Sequence, residues 1–320
     1  MKELKKKAII AALIMIAVGF AISIYAMGMM NFNLKSINTI SFVTNTYTVD
    51  KAFSNISIDG AECIVRMLPS QDDSCKIVCY EGNRIYHSVT VHNDTLTIER
   101  HDNRKWYEHF GIYWGSMEIR IYLPESEFTS LYANSLSGDI VIPEGFSFET
   151  AKVQSISGNV NFCASVSKDL SVKTVSGELY VGEVAPDKLA VQSISGDITI
   201  ENTQVQTDIT LKAVSGDIEL FRANGQSITA DTTSGGIDFF DVTATRSIHI
   251  ESVSGDIELN SCDADSLWIK SSSGDVSGIL LTEKIFLTNT SSGEVDVPHT
   301  ASGGRCEITT TSGDIEFAIQ

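Results

Sequence analysis

The chain is poor in proline, in positive charge and in catalytic motifs. Its 320 residues include only five prolines, and none of them interrupts the paired strands that its repeats predict. Lysine and arginine number 23 against 41 aspartates and glutamates, which gives a net charge of −18. An excess of negative charge repels the phosphate backbone, so this composition argues against nucleic acid as a partner.

Residues that usually carry enzymatic chemistry are scattered. The six histidines form no HExxH motif, and the repeats hold only Arg222, Arg246 and Arg305, far apart in sequence. The Ser-x-x-Lys form at 165–168 has no partner motifs. We therefore predict that the protein is not an enzyme and has no cofactor and no metal. A carbohydrate-active β-helix enzyme is the most distant alternative.

The six cysteines do not have the spacing of a zinc site. Cys306 falls on an inward position of the repeat, which predicts a buried thiol. If the segments ECIVRM and CKIVCY form a hairpin, Cys63 lies opposite Cys79, and whether the two pair stays open. Metal binding by Cys63, Cys75, Cys79 and a histidine is the weaker alternative.

One short motif, in contrast, is abundant: Ser-Gly, then usually an acid, then an aliphatic residue. Successive copies begin 19 or 20 residues apart, and a fixed period of this kind indicates a repeat architecture. The ten copies begin at Ser137, Ser157, Ser176, Ser195, Ser215, Ser234, Ser254, Ser273, Ser292 and Ser312.

Aligning the copies on that serine predicts a strand on each side of a glycine turn. The residue three positions after the serine is a branched aliphatic in every copy, from Ile140 to Ile315. Apolar and polar residues alternate around it, with Gly278 and Thr288 as departures. Alternation with period two indicates strands that bury one face.

A unit of this length cannot bury its own apolar face, so the units must stack. We predict an all-β protein, a parallel β-solenoid (β-helix) of about ten 19–20-residue coils. An irregular β-rich cap region and one N-terminal transmembrane helix precede it. The predicted divisions are a cytoplasmic basic tail and signal-anchor helix over 1–30, the cap region over 31–130 and the solenoid over 131–320. The handedness of the solenoid and the orientation of the residue before each Ser-Gly stay open.

The first 30 residues have a different composition. Four lysines in MKELKKK precede an uncharged run, 8–30, of 23 residues. As a helix at ~1.5 Å per residue this run would span about 35 Å, enough to cross a bilayer. No small-x-small cleavage site follows, so we predict an uncleaved single-pass anchor in the cell membrane. The lysines place the N-terminus in the cytoplasm and the bulk of the chain outside it.

Between the anchor and the repeats the sequence is β-rich but irregular. SVTVHNDTLTIER predicts a hairpin with Asn93 and Asp94 in its turn, and an aromatic-rich stretch follows. These aromatic side chains either fill irregular coils of the cap or form a loop that contacts a membrane surface or a glycan. The candidate contact residues are Trp106, Tyr107, Phe110, Tyr113 and Trp114.

The anchor, the FSNISIDGAECIVR segment, the DTLTIER strand and the serial Ser-Gly-Asp units resemble the bacterial putative-adhesin family of β-strand-repeat domains of unknown function. The resemblance covers roughly residues 40–320. It implies an exported β-helical domain of the cell envelope. It brings no catalytic residues, because the family has no established set.

The acid of the motif lies two residues after each serine, so stacked coils would align these acids along one edge. Two interpretations stay open: the acids cap backbone amides of the turn, or they form a stripe that binds divalent cations or cationic peptides. The candidate stripe consists of Asp139, Glu178, Asp197, Asp217, Asp256, Asp275, Glu294 and Asp314.

We predict a membrane-anchored extracytoplasmic β-solenoid that acts as a non-catalytic, adhesin-like binding or scaffold surface at the cell envelope. The alternative is an envelope-stress sensor or decoy that binds cationic peptides or divalent cations through the acids. Expected partners are the membrane and cell-wall or cationic ligands, and the identity of the ligand stays open. We also expect an open strand edge at the coil containing Phe317, and end-to-end self-association through it.

Overall fold

A computed structural model describes residues 2–29, 42–72, 74–82, 84–106 and 117–320. The chain begins with the α-helix α1 (Lys2–Met29). Within it, Ala12–Met29 is long and apolar enough to cross a membrane, with a mean hydropathy of 2.2, and none of this stretch is buried by the rest of the protein. A signal sequence near an N-terminus has the same properties, so α1 is a candidate span by length and composition.

The remaining described residues form one continuous sheet of 24 strands. Strands before the repeats are β1 (Phe42–Val49), β2 (Asn55–Ala61), β3 (Ile64–Pro69), β4 (Cys75–Gly82), β5 (Ile85–His92), β6 (Thr95–Asp102) and β7 (Glu118–Leu123). Those from the repeats are β8 (Glu127–Ser135), β9 (Ile140–Ile142), β10 (Ser147–Ser157), β11 (Val160–Phe162), β12 (Ser165–Ser176), β13 (Leu179–Gly182), β14 (Lys188–Ser195), β15 (Ile198–Gln204), β16 (Asp208–Ser215), β17 (Ile218–Ser234), β18 (Ile237–Ser254), β19 (Ile257–Ser273), β20 (Val276–Leu280), β21 (Lys284–Ser292), β22 (Val295–Asp296), β23 (Gly304–Ser312) and β24 (Ile315–Ile319).

Each Ser-Gly unit forms one coil with two principal sides that meet at the glycine. The strand before the glycine pairs in parallel with its counterparts in neighbouring coils, from β8 through β10, β12 and β14 to β16. The strand after it does the same from β9 through β11 and β13 to β15. In β17, β18 and β19 one strand continues from a coil into the next. The predicted parallel β-solenoid is confirmed.

The hydrophobic core is the inside of this stack. The aliphatic residue three positions after the serine is at most 1% exposed in every coil except that of Val295, which is 44% exposed. Cys306 is fully buried, as predicted. The departure at Gly278 has a steric reason, because a Cβ there would lie 2.7 Å from Cε1 of its register partner Phe317.

The last coils do not stack in sequence order. β23 and β24 pair with β19 and β20 on one side and with β21 and β22 on the other. The coil containing Phe317 is therefore inside the stack, and the expectation of an open edge there is wrong. Phe317 fills the space beside Gly278 and is 5% exposed, whereas the outer coil carries the polar Thr288 at a position that is apolar elsewhere.

A similar crossing occurs at the N-terminal end. β2 and β3 form a coil between β8–β9 on one side and β6–β7 on the other. The division at residue 130 therefore falls within a continuous stack, and its use as a domain boundary stays a prediction. β4 and β5 run antiparallel to β7 and β6, and β1 is antiparallel to β4.

The hairpin predicted at Asn93 and Asp94 is present, since β5 pairs with β6 across that turn. The supposed hairpin of ECIVRM with CKIVCY is absent, because β7 lies between β3 and β4 and pairs with both. All six cysteines are free thiols, Cys63 and Cys79 included.

Candidate binding surface along the Ser-Gly corners

The Ser-Gly corner is the closest contact between coils. At Gly216 φ is +142°, and a Cβ there would lie 2.4 Å from the carbonyl oxygen of Gly196 in the neighbouring coil. At Gly235 the same atom would lie 2.1 Å from the carbonyl oxygen of Gly216. Only glycine combines this backbone conformation with this approach. The residues on either side of the corner are thereby aligned from coil to coil.

Six of the eight predicted acids cap the neighbouring corner. In each of them, Oδ1 accepts a hydrogen bond from the backbone amide of the equivalent residue one coil away. The amide of Asp217 donates to Asp197 at 2.9 Å, and that of Gly236 donates to Asp217 at 2.7 Å. The six are Asp139, Asp197, Asp217, Asp256, Asp275 and Asp314.

These hydrogen bonds account for the aspartates of the motif with no need for a bound ligand. Asn159 occupies the same position and accepts the amide of Glu178 at 2.9 Å, so the bond needs no charge. Glu178 and Glu294 lie in the row without capping a described amide. Because each cap uses one carboxylate oxygen, the second oxygen stays available. Binding of cations by this row of acids stays a prediction.

Another set of acids lies two residues further along the chain. Glu219, Asp238 and Glu258 are register partners on adjacent coils. Burial raises the pKa of Asp238 above its ordinary value, and the charges of Glu258, Glu219, Asp217 and Asp256 raise it further. Negative charge is therefore concentrated around Asp238.

On the other side of the corner, the residue before the Ser-Gly points outward. Its side chain is 37–53% exposed in six coils, which form the aliphatic row. The sequence contained a signal for this orientation, because Thr233 and Ser272 fill the position in other coils and a core position seldom accepts them. The members of the aliphatic row are Leu136, Ile156, Val175, Ile194, Val214 and Val253.

The members of the aliphatic row other than Leu136 line a groove of about 780 Å³. Polar residues two positions earlier in each coil, such as Gln154, Lys173 and Lys212, line it as well. Between the two rows are inward hydroxyls that are 4% exposed and have no hydrogen-bond partner among the described residues. Those that line the groove are Ser155, Thr174 and Ser193.

Two groups of side chains in the described part of the chain could hold a metal ion, with ligand atoms within 4.8 Å of one another. Asp231, His249 and Glu251 are half-buried, and the two acids line the groove. The second group is buried near the N-terminal end of the stack and consists of Cys79, Glu81 and His87. The sequence analysis singled out neither group as a set, and Cys75 of its weaker alternative belongs to neither; the prediction of no metal stays a prediction.

The predicted aromatic contact loop lies mostly outside the described residues. Tyr107, Phe110, Tyr113 and Trp114 belong to the stretch 107–116, of which nothing is described. Trp106 lies just before this stretch and is 76% exposed. Its contact with a membrane or a glycan stays a prediction.

Stacked Ser-Gly-acid corners between parallel strands define the class of this protein, a short-period repeat β-solenoid. The chain belongs to the Toastrack DUF4097 family, whose model matches residues 53–241 and 207–320. This assignment confirms the resemblance noted from the sequence motifs.

Several solved structures are similar over most of their length. A "putative adhesin" from Parabacteroides distasonis ATCC 8503 is 13% identical, covers 87% of this chain and 98% of its own, and has a TM-score of 0.44. One from Bacteroides fragilis NCTC 9343 is 16% identical, with coverages of 87% and 97% and a TM-score of 0.37. A "putative lipid binding protein" from P. distasonis is 12% identical, with coverages of 87% and 98% and a TM-score of 0.35. No curated protein matches the chain.

Proposed function

We propose that this protein is a membrane-anchored, extracytoplasmic and non-catalytic binding protein whose ligand lies along the Ser-Gly corners. The observation that supports it is the aliphatic row, exposed beside a row of acids. The fold requires neither row, since Thr233 replaces the aliphatic residue and Asn159 the acid at equivalent corners. Contiguous exposed apolar surface of this kind usually marks an interaction site.

A ligand that matches both rows has an apolar face next to a positively charged one. From Leu136 to Val253 the aliphatic row, interrupted once by Thr233, crosses six coil steps, or about 29 Å at ~4.8 Å per step. An α-helix of ~19 residues has this length. The adjacent rows therefore favour, as the second candidate function, a decoy or sensor that binds cationic amphipathic peptides at the envelope. The general adhesin-like role requires only that some cell-wall or cationic ligand uses the same surface.

The helix α1 is the anchor in this proposal. It remains uncleaved, with its N-terminus in the cytoplasm and the solenoid outside. N-terminal sequencing of the membrane-extracted protein should begin at or next to Met1, and lysines of the solenoid should react with an impermeant reagent on intact cells. A start between residues 20 and 35, or protected solenoid lysines, would contradict this placement.

Self-association is proposed at the outer coil, whose β21 and β22 pair with a described strand on one side only. Ile285, Leu287 and Val295 are 42, 46 and 44% exposed there. An uncovered edge of this kind pairs readily with other strands. Sedimentation of the full chain should show concentration-dependent association that Leu287→Lys reduces. A wild-type chain that stays monomeric at high concentration would remove this part of the proposal.

The groove is tested with a cationic amphipathic helical peptide and the full chain in nanodiscs of neutral lipid. One variant replaces Ile156, Val175, Ile194 and Val214 with threonine, the residue that Thr233 and Thr311 carry at the same position. Losing this apolar contact, at about 1 kcal/mol per side chain, should weaken binding by at least ~100-fold while the salt dependence is kept.

A second variant separates charge from apolar contact. It replaces Asp197, Asp217, Asp256 and Asp275 with asparagine, which keeps the cap that Asn159 demonstrates. This variant should bind more weakly at low salt and show a flatter salt dependence. Empty nanodiscs measure peptide adsorption to lipid. Equal peptide binding by wild type and both variants would exclude the corners as the site.

A further inference from the structure

A buried cluster of metal-ligating side chains lies away from the corners, where β4 and β5 pack near the N-terminal end of the stack. Cys79 and Glu81 are two residues apart on β4, so both point to the same inner face. The turn after β4 brings His87 of β5 beside them. Ligand atoms of the three residues lie within 4.8 Å of one another, and the residues are 0, 0 and 2% exposed.

The carboxylate of Glu81 is held in a fixed orientation. Its Oε2 accepts hydrogen bonds from the backbone amide of His87 at 2.7 Å and from Nδ1 of the same residue at 2.8 Å. Its Oε1 accepts a bond from Nδ2 of Asn45 at 2.6 Å. Tyr47 in turn donates to the carbonyl oxygen of His87 at 2.9 Å. Glu81, His87, Asn45 and Tyr47 therefore form one connected hydrogen-bond network beside Cys79.

One ring nitrogen of His87 has no partner in this network. Among the described residues, His87 is the only ion-pair partner of Glu81, and Nε2 of His87 is buried without a hydrogen-bond partner. A buried polar atom without a partner is costly and uncommon, and an imidazole nitrogen is a common metal ligand.

We infer that Cys79, Glu81 and His87 bind a borderline divalent metal ion of the Zn²⁺ or Co²⁺ type. Thiolate, imidazole and carboxylate are the donors that Zn²⁺ takes in proteins. The ion displaces the thiol proton of Cys79 to solvent, so that thiolate and carboxylate together balance its double positive charge. The buried site is then neutral, and Asn45 orients the ligating carboxylate from the second coordination sphere.

Cys79 has a neighbour that offers the competing chemistry. Cys63 belongs to the same buried core as Cys79, and burial raises the pKa of Cys79 to about 12. Outside the cytoplasm such a pair can oxidise. A disulfide between Cys63 and Cys79 would remove the thiolate that the metal needs, so the experiment must distinguish the two outcomes.

The test uses the full chain, purified in detergent with reductant, stripped by a chelator and titrated with Co²⁺. We expect one equivalent to bind with a thiolate-to-cobalt charge-transfer band, and Zn²⁺ to abolish the band and raise the melting temperature. Cys79→Ser should lose the band and weaken binding by at least ~10-fold, because second-sphere changes alone cost that much.

Cys262→Ser is the matched control. Cys262 is equally buried, burial raises its pKa to about 12 as well, and it lies in the repeat core outside either candidate metal group. This variant should bind Co²⁺ like the wild type.

Three results would overturn the inference: a wild-type chain that shows no charge-transfer band, a band that persists in Cys79→Ser, or a Cys63–Cys79 disulfide in protein purified without reductant. The first and third need no variant, so they remain decisive if Cys79→Ser does not fold.

Discussion

The N-terminal end of the solenoid and its opposite end protect their last coil to different degrees. At the N-terminal end, β4 and β5 run antiparallel to the coil strands and cover them, and β1 adds a further antiparallel strand. At the opposite end, β21 and β22 continue the parallel ladder and have described partners on one side only. At both ends, however, the coils do not stack in sequence order. The coil of β2 and β3 lies inside that of β6 and β7, and the coil of β23 and β24 lies inside that of β21 and β22. Among the described strands, antiparallel pairing occurs at the N-terminal end of the stack and not at the opposite end.

The middle of the stack differs from both ends in how much each coil depends on its neighbours. A central coil has two ladders and a glycine contact on each of its two sides, whereas the outer coil has two ladders and a glycine contact on one side only. Perturbations in the middle should therefore affect the whole fold, and equivalent perturbations in the outer coil should remain local.

The largest expected effect comes from the corner glycines. Gly235→Ala places a Cβ 2.1 Å from the carbonyl oxygen of Gly216 at a φ of +148°, and should destabilise the protein by more than about 4 kcal/mol. Gly293→Ala makes an equally close contact with Gly313, but the outer coil can detach. Hydrogen exchange should show global loss of protection for the first variant and loss confined to β21 and β22 for the second.

Gly236→Ala is the control, because its Cβ would lie 3.6 Å from the nearest backbone atom, an ordinary contact. It should change the unfolding free energy by less than ~1 kcal/mol. Global unfolding caused by Gly293→Ala would mean that the outer coil is as integrated as the middle ones.

The next largest effect tests the order of the last coils. Phe317→Ala removes a buried ring from an inner coil and should cost about 3–4 kcal/mol in urea unfolding. Phe286→Ala removes a half-buried ring from the outer coil and should cost about 1–2 kcal/mol. If the coils stacked in sequence order, the larger loss would come from Phe286→Ala.

A smaller effect distinguishes capping from charge in the acid row. Asp217→Ala leaves the amide of Gly236 without its acceptor and should cost about 1 kcal/mol. Asp217→Asn keeps that acceptor and should be neutral or slightly stabilising at low salt. Thermal melts of both variants at two salt concentrations provide the measurement. Equal destabilisation by alanine and asparagine would show that the charge, and not the hydrogen bond, stabilises the corner.

The smallest effect concerns Asp238. Because its pKa is raised in the folded state, the folded protein binds the proton more tightly than the unfolded chain does, and stability falls as the pH rises through the raised pKa. Asp238→Asn should therefore raise the free energy of unfolding at pH 7, measured by urea unfolding, by less than ~1 kcal/mol, because solvent screens the side chain. The gain should shrink as the pH is lowered toward 3.8, the ordinary value. A gain independent of pH would rule out this electrostatic cause.

The repeat was predictable from the sequence because each coil repeats the same inward aliphatic positions at a constant spacing. The order of the final coils was not, since two coils with equivalent apolar positions can exchange places without changing the pattern. Gly278 and Thr288 were the signal. Gly278 lies in the coil next to the inserted one and provides space for Phe317. Thr288 lies in the outer coil, where a polar residue can be partly exposed.

For a related reason, the sequence predicted some parts of the candidate sites and not others. The acid row follows from the period alone. Strict alternation turns the residue before each serine outward, and the structure agrees, but the sequence could not decide this because a bend at the corner could have turned that residue inward. The Cys79, Glu81 and His87 cluster depends on a turn in a non-repeating region. There Glu81 is indistinguishable in sequence from an exposed strand acid, and only the packing of β1 and β5 over β4 shows that it is buried.

The inner position of β23 and β24 has a mechanical consequence. A force that pulls on residue 320 cannot peel away a single strand pair, because this coil is hydrogen-bonded on both of its faces. It must shear two parallel ladders together, or first displace the outer coil. A solenoid loaded through residue 320 would therefore resist tension at this inner coil, where a simple stack would unravel one turn at a time.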